Sequence, residues 1–161
     1  MLRLGDDPRI HWLLVGDGPE LTPLRDATRD RVRASFLGRR PPEEMPAWLN
    51  LMDIAVAPHS PIPGDFYFCP LKILEYAAAG CAVVASDQGD IPHLLDDGQG
   101  GRIVADDSLS AWCAAVRELI DSPERRQALG QRARRHVLER FTWDHTARIV
   151  AHTLDAALTA H

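Results

Sequence analysis

Apolar residues in this chain fall into short runs set between turn-forming clusters, and runs that suit strands alternate with runs of helical period. Residues 12–15 form a continuous apolar run closed by Gly16-Asp17-Gly18-Pro19, the pattern of a buried parallel strand and a tight turn. Pro19 is placed to open a helix with Leu21, Leu24 and Ala27 on its inner face. Residues 34–37 read as a second strand, ended by Gly38. Beyond the Pro41-Pro42 break, residues 43–50 predict a helix with Met45, Trp48, Leu49 and then Met52 at helical spacing, and residues 54–57 predict a third strand. A Pro- and Gly-containing loop, 58–69, follows; loops this long in a compact domain are usually functional or disordered, and binding is the better reading here. It feeds a helix predicted to start with Pro70 as its first residue and to end at Gly80.

The second half continues the alternation. Residues 81–85 predict a fourth strand, 92–95 a helical turn and 101–104 a weaker fifth strand. From Ser108 the pattern is helical, with Leu109, Trp112, Cys113, Val116, Leu119 and Ile120 in one stripe. Ser122 and Pro123 stand as N-cap and first residue of a helix running to about Glu139, and Thr142 as the cap of a last one carrying Ile149, Val150, Leu154 and Leu158. The first nine residues, with Gly5, Asp6, Asp7 and Pro8, read as a turn. Strands spaced by helices imply a doubly wound parallel α/β domain over residues 1–161, with C-terminal helices from about 108 to 158. Ligands of such sheets sit beyond the carboxyl ends of the strands, so the turn-rich segments 16–19, 58–70 and 86–89 are expected on one edge.

Length and composition narrow this only slightly. The 161 residues suit one domain, and the net charge of -5 argues against a nucleic-acid partner, leaving the Arg-rich stretch 125–140 as a solvated helix face. Three cysteines without a C-x-x-C pair signal neither a disulfide framework nor a zinc site, and the seven histidines lack ligand spacing. No apolar run reaches the roughly 18–20 residues of a membrane span, and the N-terminus lacks a signal peptide's core. A cytoplasmic protein, at most peripheral at the membrane, is expected.

The chemistry concentrates in residues 66–80. Backbone N–H groups at Leu71 and Lys72, at the start of a helix, favour a phosphate, and Lys72 opposes the helix dipole unless an anion sits nearby. Glu75 follows one turn later on the same face, which suggests a nucleotide. It is not a dinucleotide: Leu21 stands where the third glycine of the fingerprint belongs, and Gly38-Arg39-Arg40 offers no acidic ribose partner. The phosphate-loop pattern of ATPases is absent too. On these residues alone, an exposed Lys72–Glu75 pair of no functional weight remains an even alternative.

Taken together, an ordered series of segments resembles the C-terminal, nucleotide-sugar-binding half of the two-domain GT-B glycosyltransferases, in particular the retaining group 1 (family four) enzymes. The series is Val15-Gly16-Asp17-Gly18-Pro19-Glu20, Phe36-Leu37-Gly38, Asp53-Ile54-Ala55-Val56-Ala57-Pro58 and Pro70-Leu71-Lys72-Ile73-Leu74-Glu75-Tyr76-Ala77-Ala78-Ala79-Gly80. It ends with Val83-Val84-Ala85-Ser86, Ile91-Pro92, Asp97-Gly98, Gly101-Arg102-Ile103-Val104 and Phe141-Thr142-Trp143. The resemblance implies a UDP- or GDP-sugar as donor substrate, with no cofactor and no metal. It implies that Glu75 grips the ribose diol, that Cys69, Pro70, Leu71 and Lys72 form the diphosphate mouth, that Gly16 and Gly18 let the backbone approach the ligand, and that Arg39 and Arg40 lie by the base.

The chain also departs from the family. Tyr67 stands eight positions before Glu75, where many members carry a glutamate near the donor sugar, so Tyr67 and Phe68 form a variant donor-sugar loop. His93 and Asp90 replace a common glutamate and glycine. The family's preceding strand and helix, with an arginine and a lysine for the diphosphate, have no counterpart; Arg3 and Arg9 do not replace them. Without that strand a central place in the sheet is vacant, which exposes apolar surface or makes the flanking strands pair directly. No catalytic residue is assignable. The expectation is a fragment or one half of a two-chain enzyme, its acceptor domain on a missing N-terminal half or a separate chain; a binding module incapable of transfer alone is the alternative, and a generic α/β domain the third reading.

Overall fold

A computed structural model describes residues 1–59 and 69–159. Its five strands are β1 (Trp12–Leu14), β2 (Ala34–Phe36), β3 (Ile54–Ala57), β4 (Ala82–Ser86) and β5 (Gly101–Val104). The helices are α1 (Leu21–Thr28), α2 (Met45–Leu49), α3 (Leu71–Ala79), α4 (Ile91–Leu94), α5 (Leu109–Asp121), α6 (Pro123–Arg140) and α7 (Trp143–Thr159), with 3-10 turns at Leu2–Leu4 and Pro42–Glu44.

All pairing among the described residues is parallel, and it forms two sheets. In one, β1 runs beside β2 with Leu13 opposite Ser35; in the other, β3, β4 and β5 lie in sequence order with Val56 opposite Val84 and Val84 opposite Arg102. β1 and β3 do not pair with each other. They are nevertheless joined by packing, because Trp12 of β1 and Ile54 and Val56 of β3 rest on the same apolar cluster as Val84, Cys113 and Leu119.

β4 explains why helices cover both sides. Every residue of β4 is buried, and successive side chains point to opposite faces. Val83 and Ala85 pack with Ile73, Ala77, Ile91, Leu95, Ala133 and Val137 from the α3, α4 and α6 side. Ala82 and Val84 pack with Cys113, Ala115, Val116 and Leu119 of α5. Complete burial of Ile73, Ile91, Leu95 and Leu119 contributes roughly 1.5–3 kcal/mol for each side chain.

The helix ends follow local chemistry, with corrections. Ser108 caps α5 by accepting the Ala111 N–H at 3.3 Å, and Thr142 caps α7 by accepting the His145 N–H at 3.2 Å. Ser122 occupies the N-cap of α6 without a side-chain bond. α1 begins at Leu21, not Pro19, and buries Thr28, whose hydroxyl donates to the Leu24 carbonyl at 2.8 Å, while Ala27 is exposed. Leu109, the first residue of α5, is exposed. Of the arginines of α6, Arg125, Arg134, Arg135 and Arg140 are exposed as expected, whereas Arg126 and Arg132 are part-buried; Arg125 pairs with Glu118 at 2.8 Å, Arg132 with Asp96 at 2.6 Å, and Arg126 donates to the Leu119 carbonyl at 2.9 Å. No residue of α7 is buried; Ile149, Val150, Leu154 and Leu158 are all exposed.

Candidate functional site

Parallel strands put their carboxyl ends on one side, and the residues of interest follow those ends. After β1, Gly16 at φ 141° and Gly18 at φ 153° adopt backbone that side chains disfavour, and, their chain neighbours aside, no atom of the described residues lies within 4 Å of where a Cβ would stand on either. The Gly16 N–H donates to the Gly38 carbonyl at 2.9 Å, which ties the end of β1 to the end of β2, and Asp17 accepts the Gly18 N–H at 2.8 Å. Beyond Gly38 the two arginines diverge. Arg39 is exposed, whereas Arg40 is part-buried with its guanidinium 5.7 Å from the ring centre of Trp48 on α2.

α3 presents the second group. Its apolar positions Ile73 and Ala77 are buried against the sheet, which turns Leu71, Lys72 and Glu75 outward as exposed residues. Pro70 is buried and is the N-cap rather than the first helical residue: its ψ of 84° is not helical, so the helix starts one residue later. The Leu71 N–H turns back to the Cys69 carbonyl at 3.0 Å, and the Ile73 N–H donates to the Pro70 carbonyl at 2.9 Å. A phosphate at this mouth therefore meets two donors already engaged, the N–H groups of Leu71 and Ile73. Cys69 is exposed beside it. Among the described residues Lys72 and Glu75 form no ion pair with each other or with any other group. Tyr67 and Phe68 lie outside the described residues.

Sequence reasoning passed over a third group. At the end of β3 the His59 N–H donates to Ser86 Oγ at 2.7 Å, Ser86 Oγ donates to the His59 carbonyl at 3.0 Å, and Gln88 Nε2 donates to the same carbonyl at 3.0 Å. The signal was present, since Ser86 and Gln88 belong to the turn after the fourth strand and His59 follows the third. The carboxyl ends of β3 and β4 are thereby joined, as those of β1 and β2 are by Gly16 and Gly38.

Asp90 is the N-cap of α4 and His93 lies within it. His93 packs edge-on to Phe141, and its carbonyl lies 3.0 Å from Nε2 of the buried His136. A groove bordered by Arg102, Glu118, Arg125 and Arg132 is no anion site, because Glu118 and Asp96 already hold those arginines. Among the described residues no cluster of His, Cys, Asp and Glu is placed to hold a metal, and no helix is long and apolar enough to cross a membrane.

Known proteins share sequence and fold with this chain. A family profile described as "Glycosyl transferases group 1" matches residues 2–122. A D-inositol 3-phosphate glycosyltransferase of Corynebacterium kroppenstedtii is 32% identical over 98% of this chain and 36% of its own length. A glycogen synthase of Mycobacterium tuberculosis is 31% identical over 93% of this chain and 36% of its length. The chain thus spans about a third of the curated relatives it matches. Among solved structures, Anabaena HepE in complex with UDP and glucose superposes with a TM-score of 0.74 at 20% identity, over 92% of this chain and 41% of that one. The C-terminal domain of a group 1 glycosyltransferase from Francisella tularensis is covered to 93%, with 88% of this chain aligned, 18% identity and a TM-score of 0.55. A parallel α/β unit with the ordered motifs above, matched over most of its length, is a C-terminal GT-B unit, and the chain belongs to the group 1 glycosyltransferases.

Proposed function

We propose that this unit is the donor-binding half of a retaining glycosyltransferase that moves a sugar from a UDP- or GDP-sugar to an acceptor bound elsewhere. The observation that carries the reading is the outward face of α3, where Lys72 and Glu75 stand exposed one turn apart, unneutralised among the described residues, at the carboxyl edge of the sheet. The crystallisation of HepE with UDP is in keeping with it. In this reading the Glu75 carboxylate accepts hydrogen bonds from two vicinal ribose hydroxyls. Lys72 and the backbone donors of the α3 mouth take up the charge that develops on the departing diphosphate, with the Leu71 N–H leaving the Cys69 carbonyl for a phosphate oxygen. Gly16 and Gly18 leave room for the ligand near the end of β1, and Arg39 is the cation by the base. The unit works in the cytoplasm and needs neither a metal nor nucleic acid.

The acceptor site belongs to a further unit, since relatives are more than twice as long as the matched portion. The unpaired edges of β1 and β3 favour a second form of the reading, a module that binds donor but does not transfer by itself. Calorimetric titration with UDP and with GDP tests the site. Binding is expected, and Glu75→Ala should weaken it about 10- to 100-fold, the equivalent of one or two hydrogen bonds to a charged group. Failure of both nucleotides at millimolar concentration sinks the donor reading; unchanged affinity in the variant removes Glu75 from the ribose. Sugar transfer by the 161-residue chain alone would decide against the module form.

A further inference from the structure

α7 carries an ordered apolar face that no other described residue covers. Trp143, Ala147, Val150, Leu154 and Ala157 follow one another at steps of four and three residues, the spacing of a coiled-coil seam, and Leu158 lies beside them. None is buried; Trp143 is 88% exposed and Leu158 78%. A helix of 17 residues gains little stability from propensity and is normally held by packing such a face. The charged residues stay off the seam, with Asp144, Arg148 and Asp155 along one flank by helix phase. Arg148 donates its Nε–H to the Asp144 carbonyl at 3.2 Å within the helix, and neither Arg148 nor Asp155 has an ion-pair partner among the described residues.

The seam reads alike in both directions about residue 152: Ala147, Val150, Leu154 and Ala157 run small, large, large, small. A second copy laid antiparallel meets it in register, Ala147 opposite Ala157 and Val150 opposite Leu154 of the other copy. Charge favours the same orientation. Arg148 of each copy then comes level with Asp155 of the other, while the two Asp144 carboxylates stand about 24 Å apart along the axis, at a rise of 1.5 Å per residue. A parallel pair would set Asp144 level with Asp144 and Arg148 level with Arg148, and would align the two helix dipoles. We propose that α7 is a self-association surface, through which two copies of this chain form an antiparallel, two-fold symmetric helix pair. The pairing is weak: two helices about 25 Å long bury less than the roughly 1,200 Å² of a standard interface, which sets dissociation at about 10–100 μM.

Sedimentation velocity on the chain from about 1 to about 300 μM is the test. The mass should rise from that of one copy towards that of two, and helical content should rise with it, since an unpaired α7 is marginal. Leu154→Asp places a charge in the middle of the seam on a helix with no buried residue. The thermal melt of the rest of the fold should be unaltered, and the dimer should weaken at least about tenfold. Arg148→Asp or Asp155→Arg alone should weaken it about three- to tenfold, because two exposed attractions become two repulsions. The double variant should return to within about twofold of the parent, a recovery that only the antiparallel register gives. A chain that stays monomeric at the top of the range overturns the proposal and leaves the face to another unit of a longer polypeptide. A dimer indifferent to Leu154→Asp overturns it too, by placing the contact elsewhere. Charge reversals without effect, or without recovery in the double variant, overturn the antiparallel pairing.

Discussion

Gly130 of α6 lies directly on the carbonyl of Gly80, the residue that ends α3, with no space for a side chain between them. Gly80 has φ 81°, its N–H bonds the Ala77 carbonyl at 2.9 Å, and the next N–H, of Cys81, bonds the Tyr76 carbonyl at 3.1 Å, the paired bonds of a Schellman end. The contact therefore clamps one end of the helix whose other end forms the candidate donor mouth.

Gly130→Ala sets two effects against each other. Alanine is favoured in a helix by about 1 kcal/mol, but its Cβ would overlap the Gly80 carbonyl oxygen and stand 3.0 Å from the carbonyl carbon. Backbone cannot swing aside as a flexible side chain does, so overpacking wins and the variant should lose about 2 kcal/mol, seen as a lower urea midpoint. A variant as stable as the parent would show that α6 does not rest on the end of α3.

Asp96 connects the turn after α4 to α6, accepting Arg132 Nε at 2.6 Å and lying 3.5 Å from His136 Nδ1. The Arg132 hydrogen bond is the chief cause that lowers the Asp96 carboxyl below its usual value, with burial opposing. A depressed folded-state value contributes stability above the unfolded-state value and loses it as pH falls through the folded-state one. Asp96→Asn, which tolerates the positive φ of 56° at this position, should be less stable than the parent near pH 7, and the gap should close below about pH 4. Thermal melts of both proteins across that range check it; a gap independent of pH would mean that the ion pair contributes nothing.

Thiol reactivity reports on the mouth of α3. Cys81 and Cys113 are buried, and burial pushes the Cys81 thiol up to about 11, while Cys69 is exposed. Native protein treated with an aromatic disulfide reagent at about pH 8 should lose one thiol quickly, and Cys69→Ser should abolish that phase. A saturating sugar nucleotide should slow it. Fast reaction of Cys81 would contradict the packing of β4, and an unprotected Cys69 would place the ligand away from the mouth.

Much of the fold was legible residue by residue. The runs at 54–57 and 101–104 became β3 and β5 with unchanged bounds, because short apolar stretches between turn residues have few other ways to be buried. Helix starts were less legible. Pro19 and Pro70 carry the right φ for a first helical residue, yet Pro70 has a non-helical ψ, which proline does not dictate. The missed residue of the site, His59, is invisible in one dimension because its bonds come from Ser86 and Gln88, far along the chain.

The order of apolar runs and the glycines at 16, 18, 38 and 80 determined by themselves that this is a parallel α/β unit, and the Lys72–Glu75 spacing singled out the helix proposed as the donor mouth, since strand period, positive φ and helix phase are local properties. What needed the tertiary structure was which partners those elements meet. That β1 pairs with β2 and with no other strand among the described residues, that α6 presses its one buried glycine on the end of α3, and that Ser86 reaches across to hold the His59 backbone are matters of distant segments sharing space, which no local pattern encodes.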